Sequence, residues 1–216
     1  ENSIDAKATK IIISIADGGN KSLFVHDNGI GMSKEDLKMA FKRHATSKIN
    51  SKKDLFNIKT LGFRGEALPS IASVSRLKAS SIISKNENGY QIVIEGGLRQ
   101  SLTPLAMNTG TRISVKDLFF NIPARRKFLK KPETEQAIIN SIVRRFMISR
   151  PDISFKLISN NKTIYDISSE SLENRIMSIF GSSYSDSILP IETKKDLYNL
   201  NGYVGNLSII KKRPTE

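Results

Sequence analysis

Two periodicities organise the chain. β-Branched, apolar runs at 10–16 and 22–26 are separated by Asp17-Gly18-Gly19-Asn20, the composition of a tight turn, and predict an antiparallel hairpin. Ser33, followed by Glu35 and Asp36, marks a helix start, with Leu37, Ala40 and Phe41 as its apolar stripe. The pattern dissolves over 43–59 into a polar, basic loop of a length that usually serves function or stays disordered. A second helix is predicted at 66–74, then strands at 77–83, 90–95, 98–102 and 111–118. The clearest helix covers 133–149, where Ile138, Ile139, Ile142, Val143, Phe146 and Met147 share a face, Arg144 and Arg145 lie off it, and Pro151 ends it. Strands at 154–159 and 163–167 flank Asn160-Asn161, a hairpin signal. Residues 168–171 look like a short linker and cap, and 172–180 like a further helix. Strands with helices segregated between them imply an α+β fold. The expected division is a first domain over 1–168 and the beginning of a second over 172–216, a stretch too short to fold well alone.

Composition narrows the class. At 216 residues and 38% hydrophobic the chain can bury a sizeable core. No apolar run approaches the roughly 18–20 residues of a membrane helix, and the polar start Glu1-Asn2-Ser3 has no signal-peptide pattern, so neither export nor a membrane partner is expected. The absence of cysteine excludes disulfides, thiolate zinc sites and cysteine nucleophiles, and two isolated histidines, His26 and His44, leave no histidine metal cluster. The chain opens without Met in what reads as the end of a helix, so a fragment of a longer protein is expected.

Lys and Arg number 34 against 21 Asp and Glu, a net charge of +13. Segments 34–59 and 124–150 carry +5 and +6, together 11 of the 13, so the positive field is patchy. That is compatible with a polyanionic partner and equally with a solubilising Lys-rich surface.

Five segments could carry chemistry. Asp27-Asn28-Gly29-Ile30-Gly31 follows a strand and precedes a capped helix; a carboxylate there can accept a hydrogen bond from an exocyclic amine such as that of adenine, while the glycines admit a flat base or positive φ. The same residues also make an ordinary Asx/Gly turn. Residues 61–68, including Gly62, Phe63, Arg64, Gly65 and Glu66, run into a helix N-terminus, where unpaired N–H groups can cradle phosphate, or form a plain glycine-tolerant loop. No Walker A pattern occurs. Thr46, Ser47 and Lys48 put hydroxyls and a cation in the basic loop, either as phosphate contacts or as a solvated surface. Thr111, at a strand start, could join Asp27 around a base, or needs no special reason. Finally, 121–129 places Pro123 at a helix N1 position with Arg125 and Arg126 behind it, cations for DNA phosphates or a solvated face.

Order and spacing make these weak signals specific. Asn2 after an acidic residue, Asp27-x-Gly29-x-Gly31, Arg-His-Ala-Thr-Ser-Lys, Gly-Phe-Arg-Gly-Glu-Ala-Leu, Gly110-Thr111 and Pro-Ala-Arg-Arg-Lys-Phe-Leu together resemble the N-terminal ATPase region of the MutL family of DNA mismatch repair proteins. That family shares its superfamily with gyrase-type topoisomerases, ninety-kilodalton heat-shock chaperones and sensor histidine kinases. The resemblance spans essentially the whole chain. It implies a two-layer α/β sandwich of the Bergerat type, followed by the start of a βαβ-type transducer domain. It also implies an ATP site in which Asn2 coordinates Mg²⁺, Asp27 holds the adenine amine with help from Thr111, Gly29 and Gly31 admit the base, Thr46, Ser47 and Lys48 belong to a nucleotide-ordered lid, and Gly62, Phe63, Arg64, Gly65 and Glu66 line the phosphates. Arg125 and Arg126 would lie near a DNA-facing side. Implied partners are DNA, a second N-terminal domain in a homodimer or MutL-type heterodimer, and mismatch-recognition and downstream repair factors, in a cytoplasmic, nucleoid-associated bacterial protein. The family's general-base Glu lies four residues before the Mg-binding Asn, hence before Glu1, so weak hydrolysis or none is expected of these 216 residues alone. Two alternatives remain at this point. One is a type II topoisomerase ATPase region, which would need a differently built lid from 62–68. The other is a DNA-binding module with vestigial ATP motifs, whose binding would be salt-sensitive but indifferent to nucleotide.

Overall fold

The computed structural model describes residues 1–42, 61–62, 65–84, 88–196 and 198–209. The predicted lid residues Thr46, Ser47 and Lys48, and with them Phe63 and Arg64, lie outside the described residues.

A short helix α1 (Asn2–Asp5) leads into strands β1 (Lys10–Ala16) and β2 (Ser22–Asp27), paired antiparallel from Ile11 opposite Asp27 to Ala16 opposite Ser22. Helix α2 (Lys34–Met39) starts at Ser33 in a capping box: the Ser33 hydroxyl accepts from Asp36 N at 3.0 Å and the Asp36 carboxylate accepts from Ser33 N. Helix α3 (Ala67–Ser73) precedes β3 (Arg76–Ile82), β4 (Gly89–Glu95), β5 (Leu98–Leu105) and β6 (Gly110–Lys116). A single turn, α4 (Pro123–Arg126), opens on its proline, and α5 (Pro132–Ser149) crosses the sheet to β7 (Ser154–Ser159), followed by β8 (Lys162–Ile167) and α6 (Leu172–Phe180). The last elements are an antiparallel hairpin, β9 (Ile188–Lys195) and β10 (Tyr198–Gly205).

The eight strands β1–β8 form one sheet in the order β5-β4-β3-β6-β2-β1-β7-β8. Its neighbours are antiparallel except β1 and β7, which run parallel because α5 supplies the crossover between the two halves of the chain. Helices cover one face, giving the two-layer α+β sandwich expected from the pattern.

Two apolar clusters build the covered face. The first joins Ile4 and Ala8 to Ile11, Phe155 and Leu157 of the sheet and Val143 and Met147 of α5. The second joins Leu37 of α2 and Ala72 of α3 to Leu77, Ala79, Ile92, Ile94 and Val115. Val25 of β2 packs against the first and Ile113 of β6, its register partner, against the second. The seam between the clusters therefore runs along β2 and β6.

Helix α6 is fastened to the first cluster by one side chain. The Arg175 guanidinium is fully buried and donates to the carbonyls of Met147 (2.7 Å), Ser168 (2.8 Å), Pro151 (3.0 Å), Ile153 (3.0 Å) and Arg150 (3.5 Å), while its Nε donates to Glu170 (2.8 Å). Among the described residues no helix is long and apolar enough to cross a membrane.

Candidate functional site

At one end of the seam, β2 finishes on Asp27, a carboxylate only 5% exposed. Strand alternation turns it toward the helical layer, in the same direction as Leu23 and Val25. Its two oxygens are held from different sides: Oδ2 accepts the Ser3 hydroxyl of α1 at 2.7 Å, and Oδ1 accepts Gly29 N at 3.0 Å. These two donors occupy half of the roughly four lone-pair positions of a carboxylate, leaving it able to accept from a further N–H or O–H.

The turn behind Asp27 is tied to the strand before it. Asn28 Oδ1 accepts from Thr9 N and Lys10 N at 2.9 and 2.8 Å, and its amide donates to Thr9 Oγ1 at 2.8 Å. Close packing accounts for both glycines. A Cβ on Gly29 would stand 2.6 Å from the Ala6 carbonyl oxygen, and Gly31, at φ +72°, would drive a Cβ into the Ile82 carbonyl. The sequence suggested room for a base or positive φ; the structure adds that α1 and β3 crowd the turn from either side.

Across the seam, Thr111 is the register partner of Asp27 on β6 and of Ser81 on β3. Ser81 Oγ donates to the Gly110 carbonyl (3.0 Å), accepts Met32 N (2.8 Å) and lies 2.9 Å from Thr111 Oγ1. With the Ser81 proton committed to Gly110, Thr111 donates to Ser81 and keeps its own lone pairs for a ligand or water.

A third group arrives from the loop. The Asp5 carboxylate, one turn along α1 from Asn2, accepts Leu61 N at 3.0 Å and Gly62 N at 3.2 Å, which fixes the start of the predicted phosphate loop beside α1. Gly65 has φ +63°, and Glu66 stands at the N-cap of α3. Asn2, Asp27, Gly29, Gly31, Gly62 and Thr111 thus meet around α1, the end of β2 and the start of β6.

Arg125 and Arg126 do not join them. They are exposed on α4, which is placed by Phe119 N donating to the Val74 carbonyl and the Asn121 amide donating to the Ser73 carbonyl. That is the end of the sheet where β3 begins and β6 finishes, a strand's length, or roughly 17–20 Å, from Asp27.

Sequence reasoning missed three residues: Ser3, Asp5 and Ser81. A serine or aspartate alone carries no signal, although Ser3 and Asp5 lie one and three residues after Asn2 on a helix that was itself expected.

The nucleotide and ion implied by the sequence can be tested against these side chains. A buried carboxylate with spare acceptor capacity, beside a hydroxyl with free lone pairs, fits an adenine amine. Among the described residues no three His, Cys, Asp or Glu side chains sit together as a metal cage. A Mg²⁺ here would therefore be held by Asn2 jointly with phosphate oxygens, a common arrangement for that ion.

The family of histidine kinase-, DNA gyrase B- and HSP90-like ATPases matches residues 1–95. The DNA mismatch repair protein MutL of Clostridium perfringens is 47% identical over 207 residues, covering 95% of this chain and 31% of the relative. Its counterpart in Clostridium beijerinckii is 46% identical over 212 residues, covering 98% and 32%. The chain thus spans about a third of the length of these curated relatives. Among solved structures, the Aquifex aeolicus MutL ATPase domain complexed with ADP has a TM-score of 0.69 at 29% identity, covering 89% of this chain and 68% of that one. The N-terminal domain of a DNA repair protein reaches 0.77 at 27% identity, covering 96% and 67%. Motif order, fold and relatives agree, and the chain belongs to the MutL family of DNA mismatch repair proteins, matching its N-terminal ATPase region.

Proposed function

We propose that the chain is the nucleotide-binding region of an ATP-driven mismatch repair protein, and that Asp27 is the residue that recognises the base. The observation carrying this reading is the Asp27 carboxylate, buried at the seam and held by Ser3 and Gly29 with acceptor capacity to spare. Bound ATP with Mg²⁺ supplies the cleavable phosphoanhydride, and the chain's own residues bind and orient it. Ser3 and Gly29 fix the carboxylate plane, Thr111 offers its oxygen beside it, and Asp5 holds the loop start at Gly62. Asn2 would hold Mg²⁺ together with phosphate oxygens.

In this reading Thr46, Ser47 and Lys48 form a lid ordered by the nucleotide, and ordering favours association of two N-terminal domains, as a homodimer or a MutL-type heterodimer, into a clamp on DNA. The clamp couples mismatch recognition to downstream repair factors. Arg125 and Arg126 contact the DNA backbone from the far end of the sheet. Arg175 supports assigning α6 to the ATPase unit, so we place the start of the second domain beyond α6, near the β9–β10 hairpin, rather than at 172.

The test separates the two ligands. Replacing Arg125 and Arg126 by Glu is expected to weaken duplex DNA binding by about tenfold or more while leaving the affinity for a Mg–ATP analogue within about twofold. Calorimetry and fluorescence anisotropy read the two affinities, and an equal loss of both ligands would overturn the assignment of separate surfaces.

A further inference from the structure

A carboxylate at the end of a strand does not by itself choose between nucleobases. Adenine offers it one exocyclic amine, and the ring nitrogen beside that amine is an acceptor. Guanine offers two adjacent donors, its ring N–H and its exocyclic amine, at a spacing that matches the two oxygens of a carboxylate. Two parallel, charge-assisted bonds make the stronger pairing. A carboxylate with both oxygens turned to the ligand therefore favours guanine, and selecting adenine requires that one of them be held back.

Two donors restrain Asp27, and they differ in kind. Gly29 N, two residues away, donates to Oδ1 at 3.0 Å from the backbone of the turn itself. The Ser3 hydroxyl, 24 residues away in sequence, donates to Oδ2 at 2.7 Å from α1, and among the described residues it is the one side chain that donates to this carboxylate. Ser3 is itself well placed. The next residue, Ile4, is buried in the first apolar cluster, and Asp5 anchors the same turn of helix to Leu61 N and Gly62 N. Thr111, with its proton directed to Ser81, adds only lone pairs to the surroundings of Asp27. Acceptors thus meet the base, and Ser3 governs how many of them Asp27 supplies.

We propose that Ser3 sets the base selectivity of this site: by holding Oδ2 toward α1 it restricts Asp27 to a single ligand N–H and so selects adenine over guanine nucleotides. The proposal rests on the reading of Asp27 as the base-recognising residue and adds what limits that residue to one base. Ser3 acts through Asp27 and is a positioning residue. Without its hydroxyl, Oδ2 is free to accept a second donor, and the Gly29 bond remains as the tether of the carboxylate. Alanine at this position keeps α1, since it is the best helix former.

The experiment is calorimetric titration of Mg–ATP and Mg–GTP analogues into the 216-residue chain and its Ser3→Ala and Ser3→Thr variants. The parent is expected to prefer the ATP analogue by about a hundredfold or more. Ser3→Ala is expected to weaken the ATP analogue about three- to tenfold while the GTP analogue binds as well as before or better, narrowing the preference by about tenfold. Ser3→Thr keeps the hydroxyl and is expected to keep the parental ratio. A parent that binds both analogues equally would overturn the proposal. So would a Ser3→Ala variant that loses both in the same proportion or loses neither, because damage to α1 weakens both alike and only the ratio reports the carboxylate. A ratio narrowed equally in Ser3→Thr would overturn it as well, since the hydroxyl would not be the group that matters. Asp27→Asn separates this proposal from the reading beneath it. Parental ATP-analogue affinity in that variant would sink both, whereas its loss there beside an unchanged ratio in Ser3→Ala would sink this proposal alone.

Discussion

Asp27 and Arg175 are the two charged side chains buried among the described residues, and they are buried in opposite ways. Arg175 has no exposed surface, and every nitrogen of its guanidinium donates, to five backbone carbonyls and Glu170. Nothing is left for a ligand. Its partners come from the end of α5, the turn that follows and the segment after β8, so one side chain ties these pieces together. Asp27 takes only two donors and sits at the end of the seam between two cores. A buried charge whose hydrogen bonds are complete is a staple; one with spare acceptor capacity is a candidate site.

The largest expected effect tests the staple. Arg175→Ala removes a buried donor to five carbonyls and Glu170, of which Arg150 O, Pro151 O and Glu170 keep donors in Ile153 N, Glu170 N and the Ser178 hydroxyl, and is expected to cost about 3–5 kcal/mol of stability, read from urea unfolding. If the variant unfolds within about 1 kcal/mol of the parent, the carbonyls have found other partners and the contrast with Asp27 is lost.

A smaller effect belongs to Asp5, which links the two sides of the site. Asp5→Ala frees Leu61 N and Gly62 N and is expected to weaken binding of a Mg–ATP analogue severalfold, about 0.5–1.5 kcal/mol, at nearly constant melting temperature. Equal nucleotide affinity would show that the loop start needs no pin.

Lys7, which ends the turn after α1, has φ +57°. Lys7→Gly removes the Cβ conflict of that conformation and is expected to stabilise the fold by about 0.5–1 kcal/mol after the entropy cost of glycine, again in urea; destabilisation would mean that the side chain has a role of its own.

The smallest effect is on pH dependence. His26 has a pKa lowered from 6.5 by partial burial and then by Arg112, with Asp27 opposing and Lys10 adding to the depression. The native state therefore binds fewer protons than the unfolded chain just below pH 6.5, and stability falls as pH drops through that window to the folded pKa. His26→Gln is expected to remove part of the fall between pH 7.5 and pH 5.5 in urea midpoints; an identical pH profile in the variant would place the effect elsewhere.

Much of this arrangement is legible in the sequence because it is local. The hairpin of β1 and β2, the capping box at Ser33 and the amphipathic α5 each announce themselves within a few residues. Asp27-x-Gly29-x-Gly31 is local too, and Thr111 follows from motif order. What stayed hidden depends on long separations: Asp5 meets residues 61 and 62, Ser81 meets Thr111, and Arg175 meets carbonyls 7 to 28 residues away. On an amphipathic helix Arg175 resembles any solvated cation. The β9–β10 hairpin escaped because Pro190, Asn199, Asn201 and Gly202 interrupt its alternation, although Leu189 opposite Val204 and Ile191 opposite Gly202 keep register.

The central claim is that Asp27 accepts a hydrogen bond from the adenine amine. Calorimetric titration of a Mg–ATP analogue into Asp27→Asn tests it most directly, because asparagine keeps the shape and an acceptor for Ser3 or Gly29 but loses the charge and half of the acceptor set. The expected result is a loss of more than about tenfold in affinity, with the unfolding free energy within about 1–2 kcal/mol of the parent. Parental affinity in the folded variant would contradict the claim.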